Sequence, residues 1–400
     1  MLAGKTVVAG ITGGIAAFKA AQLVSSLHQQ GAAVHVVMTS AAREFVTPLT
    51  FNILSGNPVH TDLFAPSPEG TVRHIDLAAN ADLVVVVPAT ANIIGKVACG
   101  IADDLLSTVV MAATCPVLFC PAMNVNMYRN KVVQRNIALL RDLGYHFVEP
   151  GSGRLACGTG GRGRLAEPED ILEGIVSLLT AKDLRGLTVM VTAGPTAESV
   201  DPVRFLTNRS SGKMGYALAR AAARRGAKVI LVSGPAALKP PGGVEFVPVE
   251  TARQMYEAVL DRFEQVDAVI KAAAVADYRP KETAGRKIKK TGETLTLELE
   301  RNPDILAELG RRKTNQVLIG FAAETHDLEQ NARLKVAAKN LDFLVANDVT
   351  LPGAGFGTDT NIVKLVYPDG SVKALPQMDK LAVAHRILDE MLNVLKGERK

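Results

Sequence analysis

The segment Leu83–Val87 is a run of five branched aliphatic residues, LVVVV, with Pro88 after it. Successive side chains of a strand point to opposite faces of its sheet, so a strand with no polar alternation must be covered on both faces. Parallel sheets meet that condition, because their crossover helices lie on either side. The run therefore restricts the chain to an α/β fold with a mainly parallel sheet. Other segments follow the same grammar. TVVAGI (Thr6–Ile11), AVHVVMT and PVLFCPAM read as strands, GGIAAFKAAQLVSSLHQQG as a helix ending at Gly31, and ANIIGKVACGIADDLLSTVVMAA as one helix between strands. The alternation restarts at LTVMVTAGPT (Leu187–Thr196). It continues through GKMGYALARAAARRGAKVILVSG, a helix and then a strand, and the strands of DAVIKAAAVADY, QVLIGFAAET and DFLVAND. We expect two doubly wound, mainly parallel-sheet domains, residues 1–183 and 184–400, joined within TAKDLRGL. The halves share no repeat period, so this is not an internal duplication.

With 48% hydrophobic and 21% charged residues, the chain has the composition of a soluble globular protein. Aromatic content is 4%, with no Trp, and the net charge is +5. Both disfavour nucleic-acid binding, which wants stacking platforms and a dense basic surface. The four cysteines, Cys99, Cys115, Cys120 and Cys157, have no metal-ligand spacing. Cys115 and Cys120 flank a buried-strand pattern and read as core thiols. The reading is a reduced, cytoplasmic protein without a signal peptide. The longest apolar run, LLSTVVMAATCPVLFCPAM, is broken at Thr114 and Pro116 and fits a helix then a strand, not a membrane span.

In such sheets ligands sit beyond the carboxyl ends of the strands. That directs attention to Gly10–Gly14, Thr39, Pro88–Asn92, Pro121–Asn124, Gly194–Glu198, Ala273–Asp277 and Phe321–Glu324. GITGG before a helix is either a phosphate cradle or a tight ligand-free turn. PAMNVNM sets Asn124 beyond a buried strand, as a carboxylate-holding amide or a turn former. His74 lies on a polar segment and reads as structural or functional. GSGRLACGTGGRGRLAEPED (151–170) hangs Cys157 on a glycine-dense stretch, which reads as a mobile loop. In the second half, DPVRFLTNRSSGKMG is not a P-loop: Thr207 stands where a Gly is needed, and Met214 where a Ser or Thr binds metal. Arg204, Asn208, Arg209, Ser210, Ser211 and Lys213 still make either an anion site or a helix cap with surface charge. GRKIKK (285–290) is either a solvated face or a loop that folds onto a triphosphate. NPDIL starts a helix, and Lys335 and Lys339 share one helix face.

Taken together, GITGGIAAFKA, RHIDLA, PATANIIGKVACGIADDLL, PAMNVNM and LACGTGGRGRL resemble the flavin-dependent cysteine decarboxylases. TAGPTAESVDPVRFLTNRSSGKMG, AAAVADY, KIKK, NPDIL and GFAAET resemble the ligase half of the bacterial bifunctional phosphopantothenoylcysteine decarboxylase / phosphopantothenate–cysteine ligase family. The resemblance spans essentially the whole chain. It implies a flavodoxin-like FMN domain followed by a Rossmann-like ligase domain, both serving coenzyme A biosynthesis. By resemblance, Cys157 is a proton donor on a flap, His74 the active-site base and Asn124 the amide holding the substrate carboxylate. FMN contacts map to Gly13, Gly14, Thr39, Thr90, Ala91, Asn92 and Ala122. CTP contacts map to Ala273, Asp277, Lys287, Pro303, Asp304, Ile305, Leu306, Phe321, Lys335 and Lys339. Asn208 maps to the residue that converts the acyl-nucleotide, and Lys287 to the first catalytic step.

The implied chemistry accounts for these parts. Phosphopantothenate is activated by CTP with Mg²⁺ to an acyl-cytidylate, cysteine is joined to it, and the product is decarboxylated to 4′-phosphopantetheine. A cysteine carboxylate cannot leave as CO₂ without an electron sink, and oxidation of the thiol to a thioaldehyde provides one. No compact acidic cluster marks a metal site, so the metal ligands stay unassigned and Mg²⁺ is expected to ride on the phosphates. The resemblance also implies trimeric flavin and dimeric ligase contacts, which together close as a dodecamer. Competing readings are a flavodoxin-like oxidoreductase or a peptide cysteine decarboxylase fused to a nucleotide-binding module. A non-enzymatic nucleotide sensor or nucleic-acid module is a further one.

Overall fold

A computed structural model describes residues 2–65, 72–154, 160–290, 293–324, 328–348, 355 and 357–397. Contacts divide the chain into two compact units, Met1–Thr180 and Ala181–Lys400.

The first unit holds a five-stranded parallel sheet in the order Ala33–Met38, Thr6–Ile11, Leu83–Ala89, Val117–Pro121, His146–Phe147. The Leu83–Val87 run behaves as its sequence requires. Leu83, Val85 and Val87 pack on one face with Leu23 and Leu27 of the Ala17–Gln29 helix and Ile171 and Ile175 of the Pro168–Leu179 helix. Val84 and Val86 pack on the other with Ile94, Val109 and Leu140. Chain order reverses between the strands on either side of Thr6–Ile11, so the carboxyl ends of Thr6–Ile11 and Leu83–Ala89 form the switch point where a crevice opens.

Three local expectations change. The segment from Ala91 to Ala113 is two helices, Ala91–Ala98 and Leu105–Ala112. Gly100 turns left-handed at φ 70°, and Asp104 caps the second helix by accepting from Ser107 N at 2.8 Å while Ser107 Oγ accepts from Asp104 N. The first helix begins at Ala17 and leaves Gly13 and Gly14 in the turn. The glycine-dense stretch is not simply a loop: Gly151–Arg154 and Gly160–Arg164 pair as an antiparallel hairpin. Cys157 lies outside the described residues. Cys120 is buried, as a core thiol should be, whereas Cys115 is half-buried and Cys99 exposed.

The second unit is built on an eight-stranded sheet. Its order is Glu245–Pro248, Lys228–Ser233, Thr188–Ala193, Ala268–Lys271, Val317–Glu324 and Phe343–Asp348, all parallel, then Val363–Val366 and Val372–Ala374, both antiparallel. Helices again cover both faces. Leu218 and Ala222 pack with Ile387 and Met391 on one side, and Met255, Leu309 and Val336 lie on the other. The strand in DAVIKAAAVADY ends at Lys271, and Ala272–Asp277 is a loop on the carboxyl edge. Leu184 is fully buried within this unit's core, and Asp183 pairs with Arg225 at 2.6 Å.

Candidate active sites

A cavity of about 480 Å³ opens at the switch point of the first unit, a size typical of small-molecule and cofactor sites. Of the expected FMN residues, Gly13, Gly14, Thr90, Ala91 and Ala122 line it, together with Asn124; Thr39 and Asn92 are not among its lining residues. The turn holding Gly13 is compressed: a Cβ there would sit 2.4 Å from Ala41 Cβ, so packing alone calls for glycine. Thr12 ties the two strand ends together by donating to Pro88 O at 2.6 Å and accepting from Thr90 N at 3.3 Å. The helices starting at Ala17 and Ala91 both begin at the cavity, and neither has a side-chain cap. Ala17 N already donates to Gly14 O at 2.9 Å, but the uncapped first turn at Ala91 offers the kind of donors a phosphate needs, so the site fits an FMN phosphate together with an apolar ring system.

Asn124 caps the short Val125–Arg129 helix, its Oδ1 accepting from Asn126 N at 2.8 Å, which leaves donation as the role of its NH₂. Thr39 accepts from Ala42 N and so caps the turn after its strand. His74 lies half-buried in the Arg73–Ala79 helix and is not among the residues lining the cavity, and its buried Nδ1 has no hydrogen-bond partner among the described residues. Residues 66–71, just before it, lie outside those described. The start of this helix is held by Arg73, which meets His60 Nδ1 at 2.8 Å. Burial first, then the charge of Arg73 and the nearby His35, lower the His60 pKa to about 4. Lys19 and Arg164, which the sequence did not single out, line the cavity and share Glu167, at 2.9 and 3.1 Å.

The carboxyl edge of the second unit holds two cavities, of about 420 and 370 Å³. Ala273, Leu306, Phe321 and Lys335 line the larger, Pro303, Asp304 and Ile305 the smaller, and Asp277 and Lys339 both. Asn208, Arg209, Ser210, Ser211 and Lys213 also line the larger cavity, at the start of the Lys213–Arg224 helix, which has no side-chain cap. Lys213 is already paired with Asp359 at 2.7 Å. Asn208 Nδ2 donates to Ala274 O and Val275 O at 3.2 and 3.1 Å, and Asn302 Nδ2 to Ala276 O at 2.9 Å. The 272–277 loop is thus gripped from two sides. Asn302 had no assigned role, although an Asn before Pro303 at a helix start is a visible turn signal.

Asp304 caps the Ile305–Arg312 helix through Ala307 N and pairs with Lys339 at 2.9 Å. Burial raises its pKa, but Lys339 and the Ala307 amide outweigh that and hold the carboxyl below its ordinary value. Two expected residues fall elsewhere. Arg204 bonds Asp201 and Ile288 O, at 3.2 and 3.3 Å. Lys287 is exposed and lines neither cavity; its neighbour Ile288 donates its N–H to the buried Asp201 carboxylate at 3.1 Å. Among the described residues, no group of three or more His, Cys, Asp or Glu converges as a metal site, and no helix is long and apolar enough to cross a membrane.

Two doubly wound units, each with a ligand-sized cavity at the carboxyl edge of its parallel sheet, define a fused two-site protein of flavoprotein type. A family model described as Flavoprotein matches residues 1–180, and one described as DNA/pantothenate metabolism flavoprotein C-terminal domain matches residues 184–395. Over its full length the chain is 53% identical to the whole of the coenzyme A biosynthesis bifunctional protein CoaBC of Bacillus subtilis. It is 47% identical to the Vibrio parahaemolyticus protein of that name over 98% of this chain and 99% of the relative, and 46% identical to the Escherichia coli one over 98% and 97%. The chain belongs to the family of coenzyme A biosynthesis bifunctional proteins CoaBC.

Proposed function

We propose that the chain performs two successive steps of coenzyme A biosynthesis. The second unit (184–400 by sequence) joins cysteine to 4′-phosphopantothenate, and the first (1–183) decarboxylates the product to 4′-phosphopantetheine. What supports this reading is that Gly13, Gly14, Thr90, Ala91, Ala122 and Asn124 line one cavity of the first family-matched unit, and Ala273, Asp277, Lys335 and Lys339 line one of the second.

In the ligase site a phosphopantothenate carboxylate oxygen attacks the α-phosphorus of CTP, and the bond to the β-phosphate oxygen breaks to release pyrophosphate. Lys335 and Lys339 offset the charge, with Mg²⁺ carried on the phosphates. Lys287 joins them when the 285–290 loop closes. The cysteine amine then attacks the acyl carbon, the acyl C–O bond breaks, CMP leaves, and the amine proton passes to water. Asn208 holds the acyl-cytidylate for this step.

In the first unit Gly13, Gly14, Thr90, Ala91 and Ala122 would hold FMN, with Thr39 and Asn92 assigned by the family pattern. FMN supplies the two-electron oxidation of the substrate thiol and the return of those electrons after CO₂ is lost. Asn124 donates to the substrate carboxylate, His74 takes the proton lost on oxidation, and Cys157 supplies one on reduction. The protein is assigned to the cytoplasm as a homo-oligomer, a dodecamer by the family pattern. Ile15 and Phe18, both lining the flavin cavity and each 61% exposed, are apolar surface for such contacts, and the mass in solution tests this.

The deciding assay supplies phosphopantothenate, cysteine and CTP together and follows pyrophosphate and CO₂. Cys157→Ser should retain FMN and release CO₂ but stop at the unreduced ene-thiol; a normal phosphopantetheine yield would remove Cys157 from its role. His74→Asn should lose CO₂ release and keep pyrophosphate release. Equal loss of both in a folded protein counts against two independent sites.

A further inference from the structure

Lys271 ends the Ala268–Lys271 strand, in the middle of the second unit's sheet between Thr188–Ala193 and Val317–Glu324. The three residues before it, Ala268, Val269 and Ile270, are fully buried. A lysine at the tip of so buried a strand has its stem in the core and its ammonium at the carboxyl edge. Lys271 lines both cavities there, on the wall they share with Asp277 and Lys339. Its Nζ makes no hydrogen bond or ion pair among the described residues, whereas the neighbouring Lys339 is paired with Asp304. The charges acting on it are those of Lys339 and Lys335, from the Leu328–Ala338 helix and the residue just after it, Asp304 from the start of the Ile305–Arg312 helix, and Asp277 from its own loop. Of the two aspartates, Asp304 is already paired with Lys339, and Lys271 itself makes no ion pair with either among the described residues.

We propose that Lys271 is a nucleotide-affinity residue, whose ammonium contacts the phosphates of the bound nucleotide at the wall between the two cavities. This rests on the ligase reading of the second unit and adds to it a residue outside the expected nucleotide set. Burial first, then the charge of Lys339, lower the pKa of Lys271 to about 8, with Asp304 and Asp277 offsetting only part of that. The sign of the pH dependence follows. Below that value the free protein holds a charged ammonium and attracts phosphate. Bound phosphate favours the protonated form and raises its pKa. Affinity is therefore constant below about pH 8 and falls as pH rises through it, by up to about tenfold per pH unit until the pKa of the complex is reached.

The test is calorimetric titration of the full chain with CTP and Mg²⁺ from pH 6.5 to 9.5. Wild type should weaken above about pH 8. Lys271→Met should bind roughly tenfold more weakly at pH 7, the scale of one charge-assisted contact, and lose that alkaline decline. Lys271→Arg should keep neutral-pH affinity and also lose the decline, because a guanidinium stays charged. It serves as well if the Met variant folds poorly. Wild-type affinity and an unchanged pH profile in Lys271→Met or Lys271→Arg would overturn the proposal. Failure of wild type to bind CTP at any pH is a separate result: it removes the ligase reading, and the role of Lys271 with it.

Discussion

Met123 N donates to Gly163 O at 3.0 Å, so the hairpin whose strands flank Cys157 in sequence is docked on the segment that carries Asn124. The glycines of this hairpin permit close approach. At Gly163 (φ 150°) a Cβ would lie 2.5 Å from Met123 O, and at Gly161 (φ 147°) 3.0 Å from Val125 Cγ1. Glu149 reinforces the same junction by accepting from Arg162 at 2.7 Å and from Tyr128 OH at 3.0 Å.

Gly163→Val should therefore lift the hairpin from Asn124. Overpacking of this kind costs about 1–3 kcal/mol locally, and a thiol misplaced by an ångström loses roughly a hundredfold in rate. We expect phosphopantetheine formation to fall at least tenfold while flavin absorbance and pyrophosphate release persist. Glu149→Gln, which weakens the junction without a clash, should fall less. An unimpaired Gly163→Val decarboxylase means that the docking is not needed for turnover.

His60 gives the first unit a defined acid sensitivity. Its pKa is lowered from 6.5 to about 4 by burial, by Arg73 and by His35. The unfolded chain therefore takes up a proton near pH 6.5 that the folded chain refuses until about pH 4. The resulting stability is fully present above pH 6.5 and is lost as pH falls between the two values. His60→Gln should flatten the decline of Tm between pH 6.5 and 5. An identical slope in the variant would show that other groups set the acid limb.

The sequence made the layers legible because their cause is local. An unbroken aliphatic run such as Leu83–Val87 can only be covered from both sides, and a carboxyl-edge rule then ranks the segments to inspect. What was hidden depends on contacts distant in sequence. The helix break between Gly100 and Asp104 was visible as a Gly followed by a cap, yet the apolar periodicity on both sides masked it. The docked hairpin was unreadable, since glycines that admit Met123 and Val125 look like glycines that give mobility. Lys271 was passed over because one lysine ending an apolar strand looks like an edge, and only the fold shows two cavities meeting there. Lys287 is the converse: its motif is conspicuous, but in this conformation Asp201 anchors the adjacent Ile288 and the lysine lines neither cavity.

Arg225 secures the start of the second unit. Its side chain is 6% exposed and bonds Asp183 through both carboxylate oxygens, at 2.8 and 2.6 Å, and Asp389 at 2.7 Å. It thereby joins the entry segment to the Lys380–Leu395 helix. Removing one member of a buried ion pair costs roughly 3–5 kcal/mol. Asp183 and Asp389 remain 39% and 46% exposed, so their charges keep access to water and the loss should be about 2 kcal/mol. Urea unfolding of Arg225→Met checks this, and a change under about 0.5 kcal/mol would assign the network to the surface.

Asn208 and Lys287 should separate in a single turnover with labelled phosphopantothenate. Asn208 lines the larger cavity, and its amide grips the carbonyls of Ala274 and Val275. Asn208→Asp replaces that NH₂ donor by a carboxylate facing two carbonyl oxygens, which loosens the loop and repels the acyl-cytidylate phosphate. In the proposed activation step the charge falls on the pyrophosphate side, toward Lys335 and Lys339, so this variant should still form the intermediate and accumulate it. On the role proposed for it, Lys287→Gln removes a charge that acts while pyrophosphate departs, and the expected loss is comparable to that of one oxyanion donor, about a hundredfold or more in rate. It should therefore release no burst of pyrophosphate and accumulate nothing. Because Lys287 lies outside both cavities here, the result also decides whether the 285–290 loop leaves its Asp201 anchor during turnover. An unimpaired Lys287→Gln leaves GRKIKK as a solvated loop, with activation resting on the lysines already at the cavity wall.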